Sequence, residues 1–224
     1  SLMLNIIQNR FRIEGQSPCI FFRPLMLFIF RLGAHIPTPG IDGGALTAFF
    51  EAQQGSILRF FDMFTGGALA RLTVFALGVM PYISASIIIQ LLTAVFPYLE
   101  RLSKEGDAGR KKITGYTRYG TIVLSIVQGF AIAVGLESMA APSGQPIVIS
   151  TLSPWAFRAL TVITLTAGTA FLMWVGEQIS ERGIGNGISL LIFAGIVVGI
   201  PGAIINSIRL VQDNVLSPLV LILV

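Results

Sequence analysis

The chain has 224 residues, of which 54% are hydrophobic and only 12% charged, with a mean hydropathy of +0.80. Soluble domains carry about 25% charged residues, so a single water-driven core is excluded and an all-α, polytopic helical membrane protein is expected. The net charge of +4 is no sign of nucleic-acid binding, because Lys and Arg sit beside the apolar stretches, where they report topology.

The N-terminus lacks the basic, apolar and small-residue order of a cleavable signal peptide. The first expected span is 20–36, despite Arg23 and Arg31. Its ten Leu, Ile and Phe residues favour insertion by about 4 kcal/mol, against ~2.5–3.5 kcal/mol for a central Arg. Neither Arg is central, and both can snorkel to an interface.

Residues 37–71 form an expected external segment, opened by Pro37-Thr38-Pro39-Gly40. Within it, 55–67 reads GSILRFFDMFTGG. Ile57, Leu58, Phe60, Phe61, Met63 and Phe64 share a helical face, with Arg59 and Asp62 off it. That face is too short to span. It suits either a re-entrant helix or one resting on the outer surface.

Residues 72–99 (LTVFALGVMPYISASIIIQLLTAVFPYL) hold no charge and predict a span over 72–98. The interruption at Met80-Pro81, with Tyr82, Ser84, Ser86 and Gln90, is foreign to a plain lipid anchor. Polar groups at membrane depth persist where protein or water faces them, so this helix is expected to line a path. A basic loop follows, with Arg101, Lys104, Arg110, Lys111, Lys112 and Arg118.

Charge-free windows predict further spans over 118–137, 155–176 and 186–207, and the start of a sixth from 215, with more chain expected to follow. The 140–154 loop reads as an ordinary external connection. Residues 176–189, GEQISERGIGNGIS, read as a tight turn with Asn186 capping the next helix. Their GxGxG spacing, with no strand before it, is not a nucleotide fingerprint. Ten basic residues fall on one side, Arg182 among them, and five on the other. The positive-inside rule then puts the N-terminus in the cytoplasm.

Enzyme chemistry finds no support. No span holds a carboxylate pair, HExxH is missing, and Cys19 and His35 are single, so neither cofactor nor metal is expected. Ser84 and Ser86 suit hydrogen bonds within their helix, and Gln90 and Gln128 suit bridges between helices. Val79–Ile83 and Ile188–Ile192 are i,i+4 aliphatic pairs. They can pack against lipid and other helices, or form a constriction that gates by dewetting.

The strings PTPGID (37–42), MFTGGAL (63–69), MPYISASIIIQLL (80–92), TRYG (117–120) and the 176–189 segment resemble the N-terminal half of the bacterial SecY family of protein-conducting channels. The resemblance runs through the whole chain in order. It implies half of a ten-span, inverted-repeat channel for unfolded polypeptides, with lateral release of hydrophobic segments into the cytoplasmic membrane. It places Val79, Ile83, Ile188 and Ile192 in the pore ring and makes 55–67 the plug. Ser84, Gln90 and Gln128 fall in the lateral gate, and Arg110, Lys111, Lys112 and Arg182 on a partner-facing cytoplasmic surface. The implied partners are SecE-like and SecG-like small membrane subunits, the SecA motor ATPase, the ribosome, signal-sequence-bearing polypeptides and the phospholipid bilayer.

The competing expectation is a small-solute secondary transporter with a midplane site at Pro81 and Ser84, disfavoured by the scarcity of intramembrane charge. A scaffold without a pore would leave Ser84, Gln90 and the amphipathic external segment without a role.

Overall fold

The structure, a computed structural model, describes residues 17–52, 57, 72–140, 142–149, 151, 153–182 and 187–212. Seven helices organise them: α1 (Ser17–Gly33), α2 (Gly43–Ala52), α3 (Met80–Val95), α4 (Pro97–Lys104), α5 (Asp107–Ser138), α6 (Pro154–Arg182) and α7 (Gly187–Gln212). Only isolated bridges, no strands, occur among the described residues. Among the described residues three helices, α5, α6 and α7, are long and apolar enough to cross a membrane, and the bent α3–α4 pair makes a fourth if counted as one span. The sixth span expected from 215 lies outside the described residues.

The charge-free stretch from Leu72 is not one helix. Residues 72–79 run as turns, and α3 begins at Met80 with Pro81 in its first turn. Proline lacks only an N–H that a first turn leaves unpaired anyway, so it starts a helix here rather than kinking one. The non-helical backbone is buried against α6. A Cβ on Gly168 would overlap the Val74 carbonyl, so only glycine permits this approach. Irregular backbone in a membrane protein is tolerated where protein encloses it.

The expected basic loop is also largely helical. The chain breaks at Phe96 and bends by 101° into α4, then turns through Gly106 (φ 79°) into α5. Lys104 donates to Glu100 at 2.6 Å, which holds the Glu100 carboxyl below its ordinary range.

Helix α6 is central, packing on α5, α7, α1 and α3. On α5, Thr117, Thr121, Ser125, Gly129 and Ala133 are all buried and four residues apart, with Gly129 lying against Val162 and Leu165 of α6. Small residues at this spacing let membrane helices approach closely. The hydroxyls of Thr117, Thr121 and Ser125 donate to the carbonyls one turn back, at 3.1, 2.7 and 2.7 Å, so the stripe carries no unpaired donor.

The loops at one end of the bundle are knitted together. Thr38 N–H donates to Leu72 O at 2.9 Å and Val74 N–H to Ile36 O at 3.0 Å. Asp42 N–H donates to Ile147 O at 2.8 Å and Ile149 N–H to Gly40 O at 3.0 Å. The Asp42 carboxylate then caps α2, accepting from Gly44 and Ala45 N–H at 3.0 and 3.2 Å. Thus 142–149 is more than a connection, since Ile147 is wholly buried in the apolar cluster at this loop end, with Leu46, Phe50 and Leu72.

Candidate functional site

Val79 is the N-cap residue of α3, and Ile83 follows one turn later, its N–H donating to Val79 O at 3.0 Å. Ile188 is the second residue of α7, with Ile192 one turn on. The starts of α3 and α7 therefore bring both aliphatic pairs into one apolar cluster, with Met26, Phe30, Phe75, Val175, Ile179 and Leu191. Val79 and Ile188 are buried, and Ile83 and Ile192 are partly so. The four side chains offer no hydrogen-bonding group, so they can exclude water or lie against a passing chain without holding it.

The α6–α7 crossing sets where Ile188 stands. The Ser180 hydroxyl accepts from Gly187 N–H at 2.8 Å and donates to Gly176 O at 3.0 Å. A Cβ on Gly187 would overlap the Gly176 carbonyl, and one on Gly176 would meet the Ile188 side chain. Asn186, the cap expected from sequence, lies outside the described residues. Ser180 carries no sequence signal for this role, because its partner is seven residues away, beyond any local capping pattern.

Beside Ile188 opens a cavity of about 430 Å³, lined by Tyr82, Thr114, Arg118, Glu177, Ser180 and Glu181. Arg118 Nε donates to Glu177 at 2.8 Å, tying α5 to α6. A second pair, Arg158 with Glu137, joins the same helices near the loop end at 2.7 Å. Among the described residues no three His, Cys, Asp or Glu side chains come together as a metal site would need.

The remaining expected residues are dispersed. Ser84 is half-buried and Gln90 exposed on α3, and Gln128 is half-buried on α5, the helix against which α3 packs. Arg110, Lys111 and Lys112 are exposed on the opening turns of α5. Arg182 ends α6, but its side chain lies outside the described residues. Of the expected plug, Leu58, Phe60, Phe61, Met63 and Phe64 lie outside them too. Ile57 is helical and 74% exposed.

The SecY family model matches residues 73–224. The protein translocase subunit SecY of Escherichia coli strain K12 is 56% identical over 198 residues, covering 88% of this chain and 44% of that protein. The SecY subunit of Aquifex aeolicus strain VF5 is 47% identical over 223 residues, covering 99% of this chain and 52% of its own. The chain thus spans about half the length of the curated relatives it matches. Two solved structures, Sec61 in the canine ribosome-channel complex from the endoplasmic reticulum and a protein-conducting channel, share the fold at TM-score 0.51 and 23% identity. Each covers 78% of this chain, which in turn covers 35% and 34% of theirs. A multi-pass membrane chain matched over most of its length in this way belongs to the SecY family.

Proposed function

We propose that this chain supplies the N-terminal half of the central subunit of the general protein-secretion channel, a passive conduit rather than an enzyme. The carrying observation is the convergence of Val79, Ile83, Ile188 and Ile192 in one apolar cluster, in a chain of the SecY family. An aliphatic waist seals by dewetting when closed. A translocated polypeptide is chemically varied, so a waist without hydrogen-bonding groups suits every sequence equally.

The 55–67 segment serves as the plug of that channel. Ser84, Gln90 and Gln128 belong to the lateral gate. Hydrophobic segments leave for lipid along α3, where Ile87, Ile88, Leu91 and Val95 are exposed. The α4–α5 corner, with Arg110, Lys111 and Lys112, faces the cytoplasm and receives the SecA motor or the ribosome; one of the solved relatives is a ribosome–channel complex. SecE-like and SecG-like subunits complete the assembly. The basic asymmetry supports a bacterial inner-membrane protein with a cytoplasmic N-terminus.

The test is reconstitution of the complete protein in vesicles with its motor. Energised uptake of an unfolded, signal-bearing precursor is expected. Uptake of a small solute in its place would overturn the reading and favour a secondary transporter.

A further inference from the structure

The two ion pairs of the α5–α6 hairpin stand at matching depths. Arg118 and Glu137 are nineteen residues apart on α5, and Arg158 and Glu177 are nineteen apart on α6. At 1.5 Å per residue both separations are about 28 Å, close to the ~30 Å hydrocarbon core of a bilayer. No charged residue lies between them on either helix. The Arg158–Glu137 pair therefore marks one membrane interface.

Below that pair, an apolar groove of about 570 Å³ runs between α5 and α6, walled by Ile126, Val127 and Phe130 on one side and Ala159, Val162 and Ile163 on the other. From Glu137 down to Ile126 is eleven residues, about 16 Å. That is the depth of a single leaflet, half of the ~30 Å core. A transmembrane helix would need a trough running the full thickness, whereas an acyl chain needs one leaflet only.

The mouth is polar and oriented. Arg158 is held through Nε and Nη2 by Glu137 at 2.7–3.1 Å. Its guanidinium lies over the Trp155 ring at 5.0 Å and the Phe130 ring at 6.0 Å. Those bonds leave Nη1 to donate outward. Trp155 is exposed, as aromatic residues at the headgroup level are.

We infer that this groove is a phospholipid site of the leaflet at the loop end, with one acyl chain between α5 and α6 and the headgroup phosphate on Arg158. Glu137 balances Arg158, so the mouth is neutral overall and sets a cation beside an anion. That fits a zwitterionic phosphoethanolamine headgroup better than a net anionic one, with phosphate on Arg158 and ammonium on Glu137.

The experiment is native mass spectrometry of the complete protein in mild detergent, titrated with dipalmitoyl phosphatidylethanolamine or the matching phosphatidylglycerol. One phosphatidylethanolamine is expected to be retained, at lower concentration than phosphatidylglycerol. Ala159→Trp, which fills the groove from its exposed wall, should cut retention roughly tenfold, about what two acyl methylenes losing their burial would cost. Ile204→Trp, on the exposed face of α7, should leave it unchanged. The double variant Arg158→Gln/Glu137→Gln keeps a side-chain hydrogen bond and should erase the headgroup preference. Equal retention in Ala159→Trp and Ile204→Trp would reduce the groove to ordinary annular contact. In membranes, a crosslink from Ile163→Cys to a protein neighbour or a second copy would show a polypeptide occupant instead. Either result overturns the inference.

Discussion

Gly187 donates its backbone N–H to the Ser180 hydroxyl at 2.8 Å, so the first turn of α7 is closed by a side chain from the end of α6. Ile188 follows directly, and its position depends on this contact. Ser180→Ala removes the acceptor and should cost about 0.5–2 kcal/mol, as loss of a helix N-cap does. Ser180→Thr should recover most of it. The check is thermal denaturation of the complete protein in detergent. Equal stability of the Ala and wild-type proteins would show that the bond does not hold the crossing.

Glycines on the helices should separate by what surrounds them. Gly168→Ala drives a methyl into the Val74 carbonyl and should destabilise by about 1–3 kcal/mol, the usual cost of overpacking. Gly202 has nothing within 4 Å of an added Cβ, so Gly202→Ala should be neutral or gain up to about 1 kcal/mol of helix propensity. Both are read from chemical denaturation in mixed micelles. The reverse order would contradict the α6 approach to residues 73–75.

Charge and hydropathy made the membrane helices legible, but the joints between them much less so. Pro81 read as an interruption because a charge-free window carries no mark of where a helix begins. Gly78 at φ 58° and the buried Val74 backbone are properties of tertiary contact. The 140–154 loop looked ordinary because Pro, Ser and Gly dominate it. Ile147 is buried among Leu46, Phe50 and Leu72, where Asp42, more than a hundred residues earlier, pairs with its backbone. The Thr117–Thr121–Ser125–Gly129–Ala133 spacing was present in the sequence, as a pattern of small residues that a search for apolar faces passes over. Val79, Ile83, Ile188 and Ile192 had only their i,i+4 spacing locally, and family resemblance was needed to group them before the fold placed them in one cluster.

The Arg118–Glu177 pair should contribute little. Arg118 is about half exposed, with 48% of its side chain accessible, and an ion pair so placed is worth about 0.2–1 kcal/mol. A double-mutant cycle with Arg118→Gln and Glu177→Gln should give a coupling in that range, smaller at high salt. A coupling several times larger, unmoved by salt, would mean that the pair is enclosed in the complete protein.

Topology is open to direct labelling. In a cysteine-free background of the complete protein, cysteines introduced at Lys111 and at Ser143, both exposed, should react with an impermeant maleimide from opposite sides of the membrane. Lys111 should label from the cytoplasm. Labelling of both from one side would break the orientation, along with the assignment of α5 as a crossing helix.

The waist gives the test with the most functional weight. Ile83 is partly buried and packs in the same cluster as Val79 and Ile188, so its replacement bears on the seal as well as on the fold. Ile83→Asn puts an amide into an apolar cluster, and should hydrate the constriction and raise ion conductance of the complete channel in planar bilayers. Ile83→Leu keeps apolarity and volume, costs under about 1.5 kcal/mol, and should leave conductance near wild type. Stability separates the two effects. Should Ile83→Asn fold normally yet conduct no more than wild type, Ile83 packs between helices and has no part in the pore.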